Sequence, residues 1–310
     1  MSEVKIASLL PVPLNLALQQ RLPDVVIVQA ATHLLHELPA EVRILLAFPV
    51  GSGNGFPTEP PKGWPGALEW IHLGSSGLDG YPRWLLESGI PVSSSRGASA
   101  LAVSEYCLAA IFAQAKQIPQ IWQQQPNQPR PQRLGQIKGS TLGLLGLGAI
   151  GATLATLAQG LGMKVVALKK NGPAHVPGVE TASDIHALFT AADHLVLALP
   201  SNADTRHIIS REVLRSAKPG LHLINIARGA LIDNDALLNA LDEGVIGHAT
   251  LDVSAPEPLP AGHPFFQNPG ISLSAHVSAL LKETQVNTVA LIERNLQNFL
   301  YQRPLENRIN

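Results

Sequence analysis

Thr141-Leu-Gly-Leu-Leu145-Gly146-Leu-Gly148-Ala-Ile-Gly151 is the stretch that decides the fold. An apolar run of strand length passes into Gly146-x-Gly148-x-x-Gly151 and then into an uncharged helical pattern that continues to Gly162. Each glycine has a physical task. The first permits a tight turn, the second lets a pyrophosphate approach the backbone, and the third lets the helix pack closely on the strand. The helix N-terminus, with the N–H groups of Ala149, Ile150 and Gly151, then points at the phosphates. A merely glycine-rich turn would need neither the strand before it nor the helix after it. The segment predicts a dinucleotide site.

The strand that follows, residues 164–168, ends in Lys169-Lys170. A site of this kind normally places an acid there, roughly 20 residues beyond the first glycine, to hold the adenosine ribose. No acid is present. The lysine pair suits the 2′-phosphate of NADP, which makes NADP the preferred cofactor and NAD the alternative. Two solvated surface lysines are the plain reading of the same residues.

Outward from this segment the chain alternates short aliphatic runs with longer helical patterns, as in parallel βαβ units. Strands are expected at residues 4–9, 25–28, 42–47 and 70–73, with helices at 14–21 and 81–88. A second set comprises strands at 141–145, 164–168, 194–199, 222–226 and 248–252, with helices at 235–241 and 281–300. Between the sets lies a long apolar helix, residues 98–117, then a polar, proline-rich segment, 123–132, expected to be a surface loop. A chain of 310 residues exceeds one hydrophobic core. The expected fold is therefore α/β, two Rossmann-like domains with doubly wound parallel sheets and a cleft between them. The first domain takes residues 1–95 plus 285–310 and binds substrate; the dinucleotide-binding domain takes 96–284.

Bulk composition excludes several classes. Hydrophobic residues make up 45% and charged residues 15%, against disorder over long stretches. The net charge of −1, from 22 basic and 23 acidic residues, attracts neither nucleic acid nor an anionic membrane. The single cysteine, Cys107, rules out an intrachain disulfide or a thiolate cluster and is expected to be a buried helical residue. The uncharged run 139–163 is long enough to span a bilayer, but its glycines, threonines and turn read better as a buried strand, turn and helix. Residues 1–10 lack the basic leader of a signal peptide, so a cytoplasmic location is expected. His33 and His36 stand one helical turn apart, yet no acid or cysteine completes a metal site nearby, and none is expected.

Three further segments each place charge just after an apolar strand: Asn225-Ile-Ala227-Arg228-Gly229, Leu251-Asp252-Val-Ser-Ala-Pro-Glu257-Pro258 and Ser274-Ala-His276. Ligands of open α/β sheets bind beyond the carboxyl ends of the strands. Singly, Arg228 reads as a surface ion-pair partner, Glu257 as a turn residue and His276 as a structural histidine. Their joint order says more.

With these segments the chain resembles the D-2-hydroxyacid dehydrogenase family, which includes glyoxylate and hydroxypyruvate reductases and phosphoglycerate dehydrogenases. Leu73-Gly-Ser-Ser76-Gly77-Leu-Asp79 resembles its carboxylate-binding loop, 103–105 its interdomain helix, 295–307 its closing segment, and Leu199-Pro200 through Thr205-Arg206 the loop beside the nicotinamide ribose. The resemblance implies NADPH- or NADH-linked reduction of a small 2-oxo acid, most readily glyoxylate or hydroxypyruvate. It implies Arg228 bridging the substrate carboxylate and carbonyl, His276 as proton donor, and Glu257 paired with it to favour the imidazolium. It further implies backbone N–H groups of Ser76 and Gly77 on the carboxylate, Asp252 on the carboxamide, Ala227 in the cofactor site, and a homodimer. Two alternatives stand beside it, a phosphoglycerate dehydrogenase and a dinucleotide-sensing corepressor. Three departures matter: Lys169 in place of the acid, Ser94-Ser95-Arg96-Gly97 before the interdomain helix where Asn-Thr-Pro-Gly is commoner, and no tryptophan-bearing loop before Gly139. Arg96 either faces the cleft or is a solvated hinge residue.

Overall fold

The computed structural model describes residues 4–49, 55–122, 134–170, 172 and 175–310, so the expected loop at 123–132 lies outside the described residues. The chain begins with β1 (Val4–Ser8), α1 (Val12–Arg21), β2 (Val25–Gln29), β3 (Ile44–Ala47), β4 (Trp70–Leu73), α2 (Arg83–Leu86) and β5 (Val92–Ser94). Then come α3 (Ala100–Ala115), α4 (Ile118–Ile121), β6 (Thr141–Leu145), α5 (Ala149–Gly160), β7 (Lys164–Leu168), β8 (Glu180–Thr181) and α6 (Ile185–Ala191). β9 (His194–Leu197), α7 (Arg211–Arg215), β10 (Leu221–Asn225), α8 (Asn234–Asp242), β11 (Ile246–Leu251), β12 (Ile271–Leu273) and α9 (Lys282–Leu300) complete it. Two compact units result, Met1–Ser99 with Leu281–Asn310, and Ala100–Leu280.

In the first unit five parallel strands lie in the order β2-β1-β3-β4-β5. β3 and β4 are buried at every position, as expected of central strands covered on both faces. α1 starts behind Pro11 and carries proline in its first turn, where the missing N–H costs nothing. Its buried Leu14 and Leu18 share a core with Val289, Ile292 and Leu296 of α9. The C-terminal helix thus completes a sheet built from the N-terminal part of the chain.

Beneath the carboxyl ends of β4 and β5 lies a polar knot. His72 is fully buried; its Nδ1 lies 2.9 Å from Ser93 Oγ and its Nε2 3.0 Å from Ser95 Oγ, while Trp70 Nε1 donates to the same Ser93 Oγ. Burial, which penalises the charged ring, pushes the His72 pKa down to about 3. The unfolded chain takes up this proton near the ordinary pKa of 6.5, the folded chain only near 3. Stability from this group is therefore complete above pH 6.5 and lost as pH falls toward 3. The loss between pH 7 and 5 should be ~2 kcal/mol. Burial lowers His194, His222 and His248 in the same direction. Urea unfolding at the two pH values measures it, and equal stability at both would contradict the buried neutral ring.

The second unit holds seven parallel strands in the order β12-β11-β10-β9-β6-β7-β8. From β6 the chain builds outward to β7 and β8, then returns to β9 on the other side. The order reverses between β6 and β9, the switch point at which such sheets open a crevice for ligands. The uncharged run 139–163 spans β6, the glycine turn and α5, and among the described residues no helix is long and apolar enough to cross a membrane. Cys107 is fully buried on α3, as expected, and burial pushes its thiol pKa up. Three strands are additional to those expected, β5, β8 and β12, each of three residues or fewer. The helix expected over 81–88 is a single turn, Arg83–Leu86.

Candidate active site

The glycine turn follows from close backbone approach. Gly146 has φ +107, and a Cβ there would stand 2.3 Å from the Ala198 carbonyl oxygen, at the start of the Leu199-Pro200 segment. A Cβ on Gly151 would stand 2.4 Å from Gly146 O, so the third glycine seats α5 on the turn. Gly148 is different: nothing lies within 4 Å of the position a Cβ would take. Internal packing therefore requires the first and third glycines, while the second faces open space. Gly148 is also the N-cap of α5 and supplies no side-chain cap to the opening N–H groups. The first-turn amides of a helix lack intrahelical acceptors and carry partial positive charge. Bare amides beside a vacant Cβ position fit a pyrophosphate.

Around the turn, Thr205 Oγ1 donates to Pro200 O at 3.0 Å and accepts from Asn202 N–H at 2.8 Å, closing the 200–205 loop on itself. Lys169 is partly buried at the end of β7. Lys170 is exposed, 3.8 Å from Asp204 in that same loop.

The chemistry-bearing residues stand at the carboxyl ends of three neighbouring strands, β10, β11 and β12. Asn225, the last residue of β10, is fully buried. Its Oδ1 accepts from Ala227 N–H at 3.0 Å and its Nδ2 donates to Arg228 O at 2.9 Å, which shapes the turn presenting Arg228. The Arg228 guanidinium is partly buried, and its Nη1 donates to Ala227 O at 2.6 Å. A Cβ on Gly229 would lie 2.0 Å from the Ser254 carbonyl carbon. Only glycine allows the arginine turn to pack directly on the loop that carries Glu257.

That loop and the next converge. Glu257 Oε1 lies 2.7 Å from His276 Nδ1, and Glu257 Oε2 accepts from Ser254 N–H at 3.2 Å. With Nδ1 held by the carboxylate, Nε2 is the outward nitrogen and has no partner among the described residues. His276 itself has φ +55, in the left-handed region. Asp252 holds it there: its backbone oxygen accepts from His276 N–H at 2.8 Å, and its side chain accepts from Ser274 Oγ at 2.6 Å, Val277 N–H at 2.9 Å and Ser278 N–H at 3.0 Å. Asp252 is 1% exposed, a buried carboxylate sustained by three donors. Because Ser274 gives its only proton to Asp252, Tyr106 must donate to Ser274 Oγ, 2.7 Å away.

Sequence reasoning singled out Arg228, Glu257, His276 and Asp252, but not Asn225, Ser274 or Tyr106 as supports. A signal existed for Asn225, an amide side chain at the end of a largely apolar strand, since a buried amide must find partners. In the other unit, Ser76 and Gly77 follow β4. Neither N–H has an acceptor among the described residues, while Ser75 Oγ closes the loop onto Gly77 O at 2.9 Å. Among the described residues no group of three or more His, Cys, Asp or Glu is arranged to hold a metal.

A topological switch point with a glycine-turn helix N-terminus, beside a carboxylate-paired histidine and a braced arginine at the sheet's carboxyl edge, defines a dinucleotide-binding α/β protein. Residues 108–278 match the sequence model of the D-isomer specific 2-hydroxyacid dehydrogenase, NAD binding domain. The chain belongs to this family. It is 34% identical over 230 residues to a D-3-phosphoglycerate dehydrogenase of Methanocaldococcus jannaschii, covering 72% of this chain and 44% of that protein. It is 39% identical over 127 residues to a glyoxylate/hydroxypyruvate reductase B of Pectobacterium atrosepticum, covering 41% and 40% respectively. The chain thus spans less than half the length of these two curated relatives. The crystal structure of a D-isomer specific 2-hydroxyacid dehydrogenase family protein from Aeromonas salmonicida superposes with a TM-score of 0.80 at 26% identity, over 100% of this chain and 99% of that one.

Proposed function

We propose that this protein reduces a small 2-oxo acid to the 2-hydroxy acid, with glyoxylate and hydroxypyruvate as the first substrates to test. The observation that carries the reading is the 2.7 Å contact between His276 Nδ1 and Glu257 Oε1, which turns Nε2 outward as a proton donor. When bound, the nicotinamide supplies a hydride to C2 of the acid. His276 delivers the proton to the carbonyl oxygen, and Glu257 orients the ring through its Nδ1. Arg228 offers a planar fork to the carboxylate and carbonyl oxygens. The N–H groups of Ser76 and Gly77 take the carboxylate. Asp252, with three of about four acceptor positions used, keeps one for the carboxamide. A screen of 2-oxo acids with NADH and NADPH, followed at the nicotinamide absorbance, tests the reading. Silence on every acid alongside tight cofactor binding would favour a dinucleotide sensor instead. A cytoplasmic homodimer belongs to the same proposal, and light scattering that returned the mass of a single chain would remove the dimer.

NADPH is the proposed cofactor. A hydrogen bond to a charged group gives about 1.5–3 kcal/mol, but exposed pairs give about 1 kcal/mol or less. Lys170 is exposed and shares its charge with Asp204, whereas Lys169 is partly buried, so Lys169 carries most of the effect. The expected NADPH preference is on the order of tenfold in kcat/KM, weakening as salt rises because screening acts on exposed charges. Lys169→Asp should move the preference toward NADH by setting an anion opposite the phosphate. A parent enzyme that prefers NADH, or a ratio unmoved by the substitution, would return both lysines to the ordinary surface.

A further inference from the structure

We propose that Arg96 is a specificity-determining residue that binds a second anionic group on the substrate, so that the protein favours 2-oxo acids bearing a distal carboxylate or sulfonate. The proposal rests on the reading of Ser76 and Gly77 as the donors to the first carboxylate. β4 and β5 are parallel neighbours, so their carboxyl ends present the 74–77 and 95–97 loops together. The two loops are bonded to each other. Ser95 N–H donates to Leu73 O at 2.9 Å and to Ser75 O at 3.2 Å, and Ser76 Oγ donates to Ser95 O at 3.1 Å. The peptide leading into Arg96 is thus fixed to the loop that offers two unused amides.

The backbone of Arg96 is held and its side chain is not. Ser93, Ser94 and Ser95 are all buried, with Ser95 Oγ seated 3.0 Å from His72 Nε2. On the far side Asn307 Nδ2 donates to Arg96 O at 2.8 Å, and Ser94 N–H donates to Asn307 O at 3.2 Å. Elsewhere in this unit arginines are engaged. Arg21, Arg43, Arg83 and Arg294 pair with Glu293, Glu69, Glu87 and Glu306, Arg303 lies over the Tyr301 ring, and Arg308 donates to Asn310 O. Arg96 alone among them is exposed with no carboxylate, carbonyl or ring partner among the described residues. A guanidinium is always charged, presents five donors and is weakly hydrated, so beside an anion site it suits a second oxyanion. The two amides take the carboxylate next to the reacting carbon. Arg96, on the adjoining loop, reaches the other end of the acid.

The test compares acids of equal length that differ in one terminal charge: 2-oxoglutarate against 2-oxopentanoate, and oxaloacetate against 2-oxobutyrate, with 3-sulfopyruvate as the sulfonate. The full chain is assayed as parent, Arg96→Gln and Arg96→Lys. The parent should favour the dianion in at least one pair. Arg96→Gln should lower the dianion-to-monoanion ratio of kcat/KM by tenfold or more, chiefly through KM, and Arg96→Lys should restore part of it. Reduction of monoanions with a ratio unmoved by either substitution would overturn the assignment of Arg96 alone. Reduction of no acid by the parent would overturn it together with the hydride-transfer reading. The side chain is exposed, so loss of folding should not obscure the result.

Discussion

His276→Ala should lower kcat by roughly 10²–10⁴ while leaving cofactor affinity nearly unchanged, the usual contribution of a positioned general acid. The expectation follows from how completely the ring is placed. Its Nδ1 is engaged by Glu257 at 2.7 Å, and its backbone is fixed in the left-handed region by Asp252, through bonds to His276 N–H and to the two amides that follow. Nothing in that arrangement serves the glycine turn of β6 and α5, so dinucleotide binding should survive. Steady-state turnover together with titration of NADPH fluorescence separates the two effects. A variant with near-normal kcat would remove His276 from the chemistry. Glu257→Gln keeps the shape but removes the carboxylate's charge, and should fall between the parent and His276→Ala.

Arg228→Lys should reduce kcat/KM by about ten- to two-hundredfold, the range for a lost hydrogen bond to a charged group. Lysine keeps the charge and loses the planar fork. The structure sharpens the expectation, because the Arg228 turn is shaped by the buried Asn225 amide and packed without a side chain at Gly229 against Ser254. Little freedom remains for a point charge to recover the geometry. Kinetics indistinguishable from the parent would mean that Arg228 does not touch the substrate. On the proposed reading, Asn225 acts through Arg228 as a positioning residue. Asn225→Asp should raise KM for the oxo acid more than it lowers kcat, a split that simple loss of stability would not produce.

The sequence determined by itself everything that depends on local spacing. Gly146, Gly148 and Gly151 reveal the dinucleotide turn because backbone clearance is a property of single residues. The same is true of the charges at Arg228 and Glu257, which follow apolar runs long enough to be central strands, whereas His276 follows only the three-residue edge strand β12. Long helices such as α3 and α9 were legible from their periodicity. Tertiary structure alone decided the rest. β5 and β12 are three-residue strands, Val-Ser-Ser and Ile-Ser-Leu, whose pairing comes from a neighbouring strand rather than from their own composition. Ser93 is buried because Trp70 and His72 give it partners, and no periodicity encodes that. The 2.7 Å pairing of His276 with Glu257 needs β11 and β12 to lie adjacent, and the anchoring of the histidine loop needs Asp252 buried between them. Such contacts join residues distant in sequence. Burial fixes them, because a carboxylate or amide withdrawn from water must find its donors and acceptors wherever the fold brings them.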